Sequence, residues 1–171
     1  MSIQEAIHFT LGAEGKFVID DGGPTMYGVT QAVYDDYRRN EGLSLQSVRL
    51  IEMDEVEDIM RREYWTPAHC DDLGNKMGVA HFDWSYNHGD EGGFETLQIA
   101  LGFTGDAVDG KYGPHTKAAA QAAGDSVLGA YLDARRQWYR DAAKRNPAKY
   151  GEYLDGWLNR VDNLEKYLAS L

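Results

Sequence analysis

Glu14 and Gly15 are followed by the run Asp20-Asp21-Gly22-Gly23-Pro24-Thr25-Met26-Tyr27-Gly28-Val29-Thr30, a glycine-dense stretch that gathers carboxylates and hydroxyls beside a helix end. A carboxylic acid that protonates a leaving oxygen, with a second polar group that places water or stabilises developing positive charge, is what cleavage of a glycosidic bond requires. Glu14 has the residue type of the proton donor, and Asp20 and Thr30 have those of the second group. Each has an ordinary alternative. An Asp ahead of glycines forms turns, and a Thr at a helix start caps it. Asp21 competes with Asp20, and Thr25 with Thr30. To act as an acid near neutral pH, Glu14 needs a raised pKa, which partial burial supplies. A cation turned toward it does the reverse, so Lys16 is expected to face solvent.

The pattern Glu-Gly, a short spacer, then Asp-x-Gly-Gly-x-Thr-x-x-Gly-Val-Thr resembles glycoside hydrolase family 108, whose members are lysozyme-like N-acetylmuramidases that include phage endolysins. Further stretches resemble the family in the same order: Arg61-Arg62-Glu63-Tyr64-Trp65, then Ala80 through Gly89, then Leu97-Gln98-Ile99-Ala100-Leu101-Gly102 with Asp109 through Thr116, and finally Gly156-Trp157-Leu158-Asn159-Arg160-Val161. Lys16 and Asp21 depart from the pattern, standing where a glycine and a proline are usual. The resemblance implies a general-acid role for Glu14, an Asp20 partner, and a peptidoglycan-binding second half. It implies cleavage of the β-1,4 bond between N-acetylmuramic acid and N-acetylglucosamine, by an endolysin or a wall-opening muramidase. No cofactor is implied. A lytic transglycosylase, or a non-catalytic peptidoglycan-binding or assembly protein, would carry the same residues.

Helices must position these groups, since apolar residues recur at spacings of three and four far more than they alternate. The expectation is a mainly α, lysozyme-like fold with minor β structure in the loop after the first helix. Ile3, Ile7 and Leu11 form one stripe that ends about one turn short of Glu14. Thr30 can cap a second helix bearing Val33, Tyr34 and Tyr37. Asp54 with Glu57 reads as a capping box for a third, which Pro67 ends. Residues near 76 to 88 are apolar almost all round, so that helix should run through the middle. Another begins near Phe94 and stops at Gly102, and Pro114 suits the first turn of the next. Two longer helical patterns follow, divided by Pro147. A single unit over 1–171 is expected, with a catalytic half over 1–90 and a helical peptidoglycan-binding-type half over 91–171 sharing its core.

Tyr27, Asn87 and Gln98 are candidates for substrate binding, because aromatic faces pack on pyranose rings and amides bond N-acetyl groups. Trp84 and Tyr86, on the apolar helix, read mainly as packing. The five histidines lack metal-ligand spacing, and no Gly-x-Ser-x-Gly turn marks an activated serine. No metal site is expected.

At 171 residues the chain can bury about two thirds of its unfolded surface without disulfides. Its one cysteine, Cys70, reads as a small buried side chain. A net charge of −11 argues against nucleic acid, whose phosphates demand a cationic surface. The same charge predicts weak steering toward anionic envelopes. The first residues lack the basic start and apolar core of a signal peptide, and no run is long enough to span a membrane. Synthesis in the cytoplasm is therefore expected, with release to the wall through a separate pore or secretion device. Peptidoglycan glycan strands are the expected partner, and a monomer the expected state.

Overall fold

The computed structural model describes residues 3–12, 17–20 and 23–171, with Asp20 described in its backbone alone. Glu14, Lys16 and Asp21 lie outside the described residues.

The first helix, α1 (Ile3–Leu11), buries Ile3, Ala6, Ile7 and Thr10 on the face set by its apolar spacing. Gly12, at φ +76°, takes the chain off the helix in a conformation that favours glycine. Three short strands follow: β1 (Val18–Asp20), β2 (Gly23–Met26) and β3 (Val29–Thr30). They form an antiparallel sheet in sequence order, with Asp20 opposite Gly23 and Thr25 opposite Thr30. The minor β structure therefore falls where the sequence placed it. Thr30 caps α2 (Gln31–Asn40), its hydroxyl accepting the Val33 N–H at 3.3 Å.

Helix α3 (Met53–Met60) starts two residues earlier than the Asp54–Glu57 pairing requires. The capping box belongs to Glu52 and Glu55 instead, with the Glu55 carboxylate accepting the Glu52 N–H at 3.1 Å. Glu57 is drawn away to Gln4 of α1 and Arg61. A π-helical turn over Arg61–Trp65 carries α3 toward Pro67.

The central element is α4 (Asn75–Ala100), whose first half buries Met77 through Ser85 without interruption. Helical geometry breaks at Gly89 (φ 77°, ψ 164°), a region open essentially to glycine alone. The two helical runs seen in the sequence are thus joined end to end across a kink. Gly102 ends the second run in a Schellman motif, with Gly102 N–H on Ile99 O and Phe103 N–H on Gln98 O. Then come α5 (Pro114–Ala123), with proline at its first turn, α6 (Leu128–Arg145), the short α7 (Pro147–Tyr150) and α8 (Leu154–Ser170).

Helix α4 packs on α1 and α6, and α6 on α8. Phe82, Trp84, Tyr131 and Tyr139 are fully buried between them, each side chain contributing roughly 1.5–3 kcal/mol of hydrophobic stabilisation. Cys70 is buried as expected, and burial pushes its thiol pKa up. The result is a mainly α, lysozyme-like fold. No helix among the described residues is long and apolar enough to cross a membrane.

Candidate active site

Everything proposed for the chemistry hangs from the end of α1, because Glu14 follows Gly12 by two residues. That end is tied down by a buried ionic knot. Thr10 Oγ1 donates to Asp83 Oδ1 at 3.0 Å. Asp83, on α4, also accepts from Arg135 of α6 at 2.8 Å and from Arg160 of α8 at 2.5 Å. Arg160 closes the loop by donating to the Thr10 carbonyl at 3.3 Å. The Asp83 and Arg135 side chains are wholly buried, whereas Arg160 keeps a third of its side chain in solvent. Burial pushes the Asp83 carboxyl up, but the guanidiniums of Arg135 and Arg160 outweigh it and hold the group below the usual carboxylate range. Arg135 also lies over the Trp84 ring, 4.7 Å from its centroid.

The β-hairpin approaches from the other side. Met26 pairs with Val29, so Tyr27-Gly28 is a two-residue turn. Both residues have positive φ, 50° and 73°, as the type I′ turn that matches strand twist requires. Tyr27 bears that conformation without being glycine, a strain of about 1–3 kcal/mol that surrounding contacts must hold. Gly28 shows how tightly they do. A Cβ there would stand 2.5 Å from Tyr86 Oη and 3.0 Å from Leu11 Cδ2. The hairpin tip therefore seats on the last turn of α1 and on α4, where Tyr86 packs against Tyr64 at 4.9 Å between ring centroids.

A cleft of about 750 Å³ runs along α1 to Gly12, walled by His8 and Leu11, by Tyr27, by Met53 and Glu57 of α3, and by Tyr167 of α8. The Gln4–Glu57 hydrogen bond of 2.9 Å crosses between α1 and α3, and Tyr167 Oη donates to the Glu5 carbonyl.

Tyr27 thus lines the cleft at its α1 end. Asn87 is exposed on α4 one turn beyond Asp83, its amide donating to the Asp83 carbonyl at 2.6 Å. Thr30 and Thr25 face each other across β2 and β3; the Thr30 hydroxyl serves as the α2 cap, and the Thr25 hydroxyl leans on the Gly23 carbonyl. Gln98 lies apart, beyond the Gly89 kink and 1% exposed. Its amide donates to Asp109, Lys111 and Thr116 and accepts the N–H groups of Asp109 and Gly110. That occupancy locks the 109–116 loop and leaves no donor for a sugar. The knot around Asp83 was the feature sequence reading passed over. A charged residue inside an otherwise apolar helix was the available signal, and Arg135 within an apolar stripe was a second.

Among the described residues, no cluster of three His, Cys, Asp or Glu side chains could hold a metal ion. Residues 7–89, which contain Glu14, the hairpin and the first half of α4, match the model of the family described as glycosyl hydrolase 108. This region is a glycoside hydrolase family 108 domain. Residues 93–162 match a second model, described as a predicted peptidoglycan domain. Helix α4 passes from one matched region into the other. Among solved structures, that of SagA from Brucella abortus is similar over 98% of this chain and 93% of its own, with a TM-score of 0.68 and 25% identity. A comparison with curated proteins finds no match. The chain is thus a glycoside hydrolase with a peptidoglycan-binding region, built on a lysozyme-like scaffold.

Proposed function

We propose that this family 108 hydrolase is an N-acetylmuramidase that cuts the β-1,4 bond between N-acetylmuramic acid and N-acetylglucosamine in peptidoglycan. Glu14 protonates the glycosidic oxygen as the bond to the muramic anomeric carbon breaks, and water supplies the hydroxyl that replaces it. Asp20, with Thr30, stabilises the positive charge at that carbon or orients the water. Tyr27, in the cleft lining, and exposed Asn87 bind sugar. The observation that carries this reading is the clamping of that end. Thr10 is fixed through both its hydroxyl and its carbonyl, and the hairpin tip closes on Leu11, so the segment leading to Glu14 starts from a rigid base. Rigid support of this kind is what precise placement of a catalytic acid demands. The enzyme acts on the wall as an endolysin or a wall-opening muramidase, reaching it through a separate pore or secretion device.

Mass spectrometry of the soluble fragments released from purified wall by wild type and by Glu14→Gln tests the assignment. Reducing N-acetylmuramic ends from wild type alone are expected. Anhydro ends would make the enzyme a lytic transglycosylase, equal turnover by the variant would remove Glu14 from the mechanism, and no fragments from either would leave a binding protein.

A further inference from the structure

The second half of the chain carries an aromatic shelf on the rim of the hydrophobic core. Short helix α7 and the turn after it bring Tyr150 and Tyr153 to either side of Trp157 on α8, at 5.8 and 5.9 Å between ring centroids. Trp157 is half-buried and Tyr153 is 51% exposed. Beneath them Trp157 stacks on buried Tyr139 at 4.8 Å and 22°. Tyr139 in turn meets Trp84 and Trp138 edge-on, and the half-buried His88 lies stacked on Trp84. The shelf is therefore held from below by a buried ring. Lys149 sits 4.9 Å from the Tyr150 centroid, and Tyr153 is the exposed ring of the three, beside half-buried Trp157.

Its place relative to the chemistry is fixed by α8. Trp157 lies three residues, about one turn, before Arg160, whose guanidinium bonds to the Thr10 carbonyl and to Asp83. Asn87 is one turn past Asp83 and donates to its carbonyl. Trp157 thus lies about one turn along α8 from the contact that ties this helix to the end of α1.

We propose that Trp157 and Tyr153 form a glycan platform that holds the sugar strand beyond the bond being cut. The C–H face of a pyranose is apolar, and the π-face of an indole or phenol is its natural partner. Exposed Tyr153 and half-buried Trp157 stand side by side on a fixed support, an apolar surface of the kind that marks a binding site. Recognition through neutral ring faces also suits a chain of net charge −11 meeting an anionic wall, because it needs no attraction between charges. The platform lies within the region that matches the peptidoglycan domain model. This inference rests on the proposed muramidase reading and extends it to residues outside the catalytic loop.

The test is co-sedimentation with purified peptidoglycan sacculi, intact and stripped of stem peptides by an amidase, using the full-length chain carrying Glu14→Gln to prevent cleavage. On that background Tyr153→Ala removes an exposed ring with no effect on folding, and Trp157→Phe keeps the packing on Tyr139. Each is expected to weaken binding about tenfold at unchanged melting temperature, the size of loss typical of an aromatic anchor, and stripping the peptides is expected to leave binding intact. Unchanged binding by both variants, while the protein without Glu14→Gln still releases fragments, overturns the platform and spares the muramidase reading. Loss of binding on stripping overturns the glycan as its ligand. Self-association in sedimentation velocity that Tyr153→Ala abolishes makes the shelf a contact between copies instead. A wild type that neither binds nor cleaves the wall overturns both readings together.

Discussion

Replacing Asp83 by Asn keeps the size and one oxygen of the side chain while deleting the anion that faces the guanidiniums of Arg135 and Arg160. Asp83 and Arg135 have no solvent exposure to fall back on, so the variant leaves a buried cation without its counter-ion. Breaking a buried pair from one side costs about 3–5 kcal/mol. Arg160, a third exposed, can recover part of its hydration and adds little to that figure. For a chain of this size each kcal/mol moves the melting temperature by about 2–4 °C, so a fall of about 6–20 °C is expected. Urea unfolding monitored by circular dichroism gives the free energy directly, and the denaturant slope should stay constant because the surface exposed on unfolding is unchanged. The Thr10→Val variant provides a scale beside it. It removes one hydrogen bond to a charged acceptor, worth about 1.5–3 kcal/mol, and leaves the charges paired. The reasoning fails if Asp83→Asn costs less than 1 kcal/mol at constant slope, or less than Thr10→Val, because either result would mean that the charge does not hold the helices together.

Acid should weaken the fold through its buried histidines. Burial, followed by the nearby Arg135 charge, lowers the pKa of His81 to about 3, well below the unfolded value. The unfolded chain then binds the extra proton, so the contribution of His81 is complete above about pH 6.5 and is lost as the pH falls toward 3. Between pH 6.5 and 5 this amounts to about 2 kcal/mol, and His88, lowered to about 4 by burial and then by Arg135, acts in the same direction. Urea unfolding at pH 7.5, 6.5 and 5 should show this slope and a shallower one for His81→Asn; equal stability at all three would contradict it. At the hairpin, Gly28→Ala places a methyl group against Tyr86 Oη at a φ of 73°. A loss of about 1–3 kcal/mol is expected, and adding Tyr86→Phe should restore part of it by removing the obstructing oxygen. No recovery in the double variant would place the whole cost in the backbone.

The local features were legible in the sequence because their causes are local. Thr30 as a cap, Gly102 as a stop, Pro114 in a first turn and the apolar run through 76–88 each depend on residues within one or two turns. The α3 capping box was misplaced by two residues because the stretch offers several carboxylates in a row, and only the demands of Gln4 and Arg61 on Glu57 decide among them. The Gln98 clamp was hidden for a related reason. An amide at a helix end is suited to bind a sugar or a loop, and the choice depends on where residues 109–116 return. The knot at Asp83 is the furthest from local reading, since its partners stand 73, 52 and 77 residues away. Of the candidate region, the minor β structure after the first helix could be read in advance. The means of fixing the preceding helix could not.

The passage of α4 through both matched regions bears on how such enzymes can be recombined. A tail joined by a linker can be exchanged for another without disturbing the partner it follows. Here the join is the interior of a helix, and its two halves are separated by the single non-helical residue Gly89. An exchange of second halves between relatives would have to cross over at that glycine and carry with it compatible partners for Asp83, because Arg135 and Arg160 come from the far side of the join. Chimeras that respect the glycine but not the two arginines should express as poorly folded protein, so the two regions have to be exchanged together with the contacts that join them.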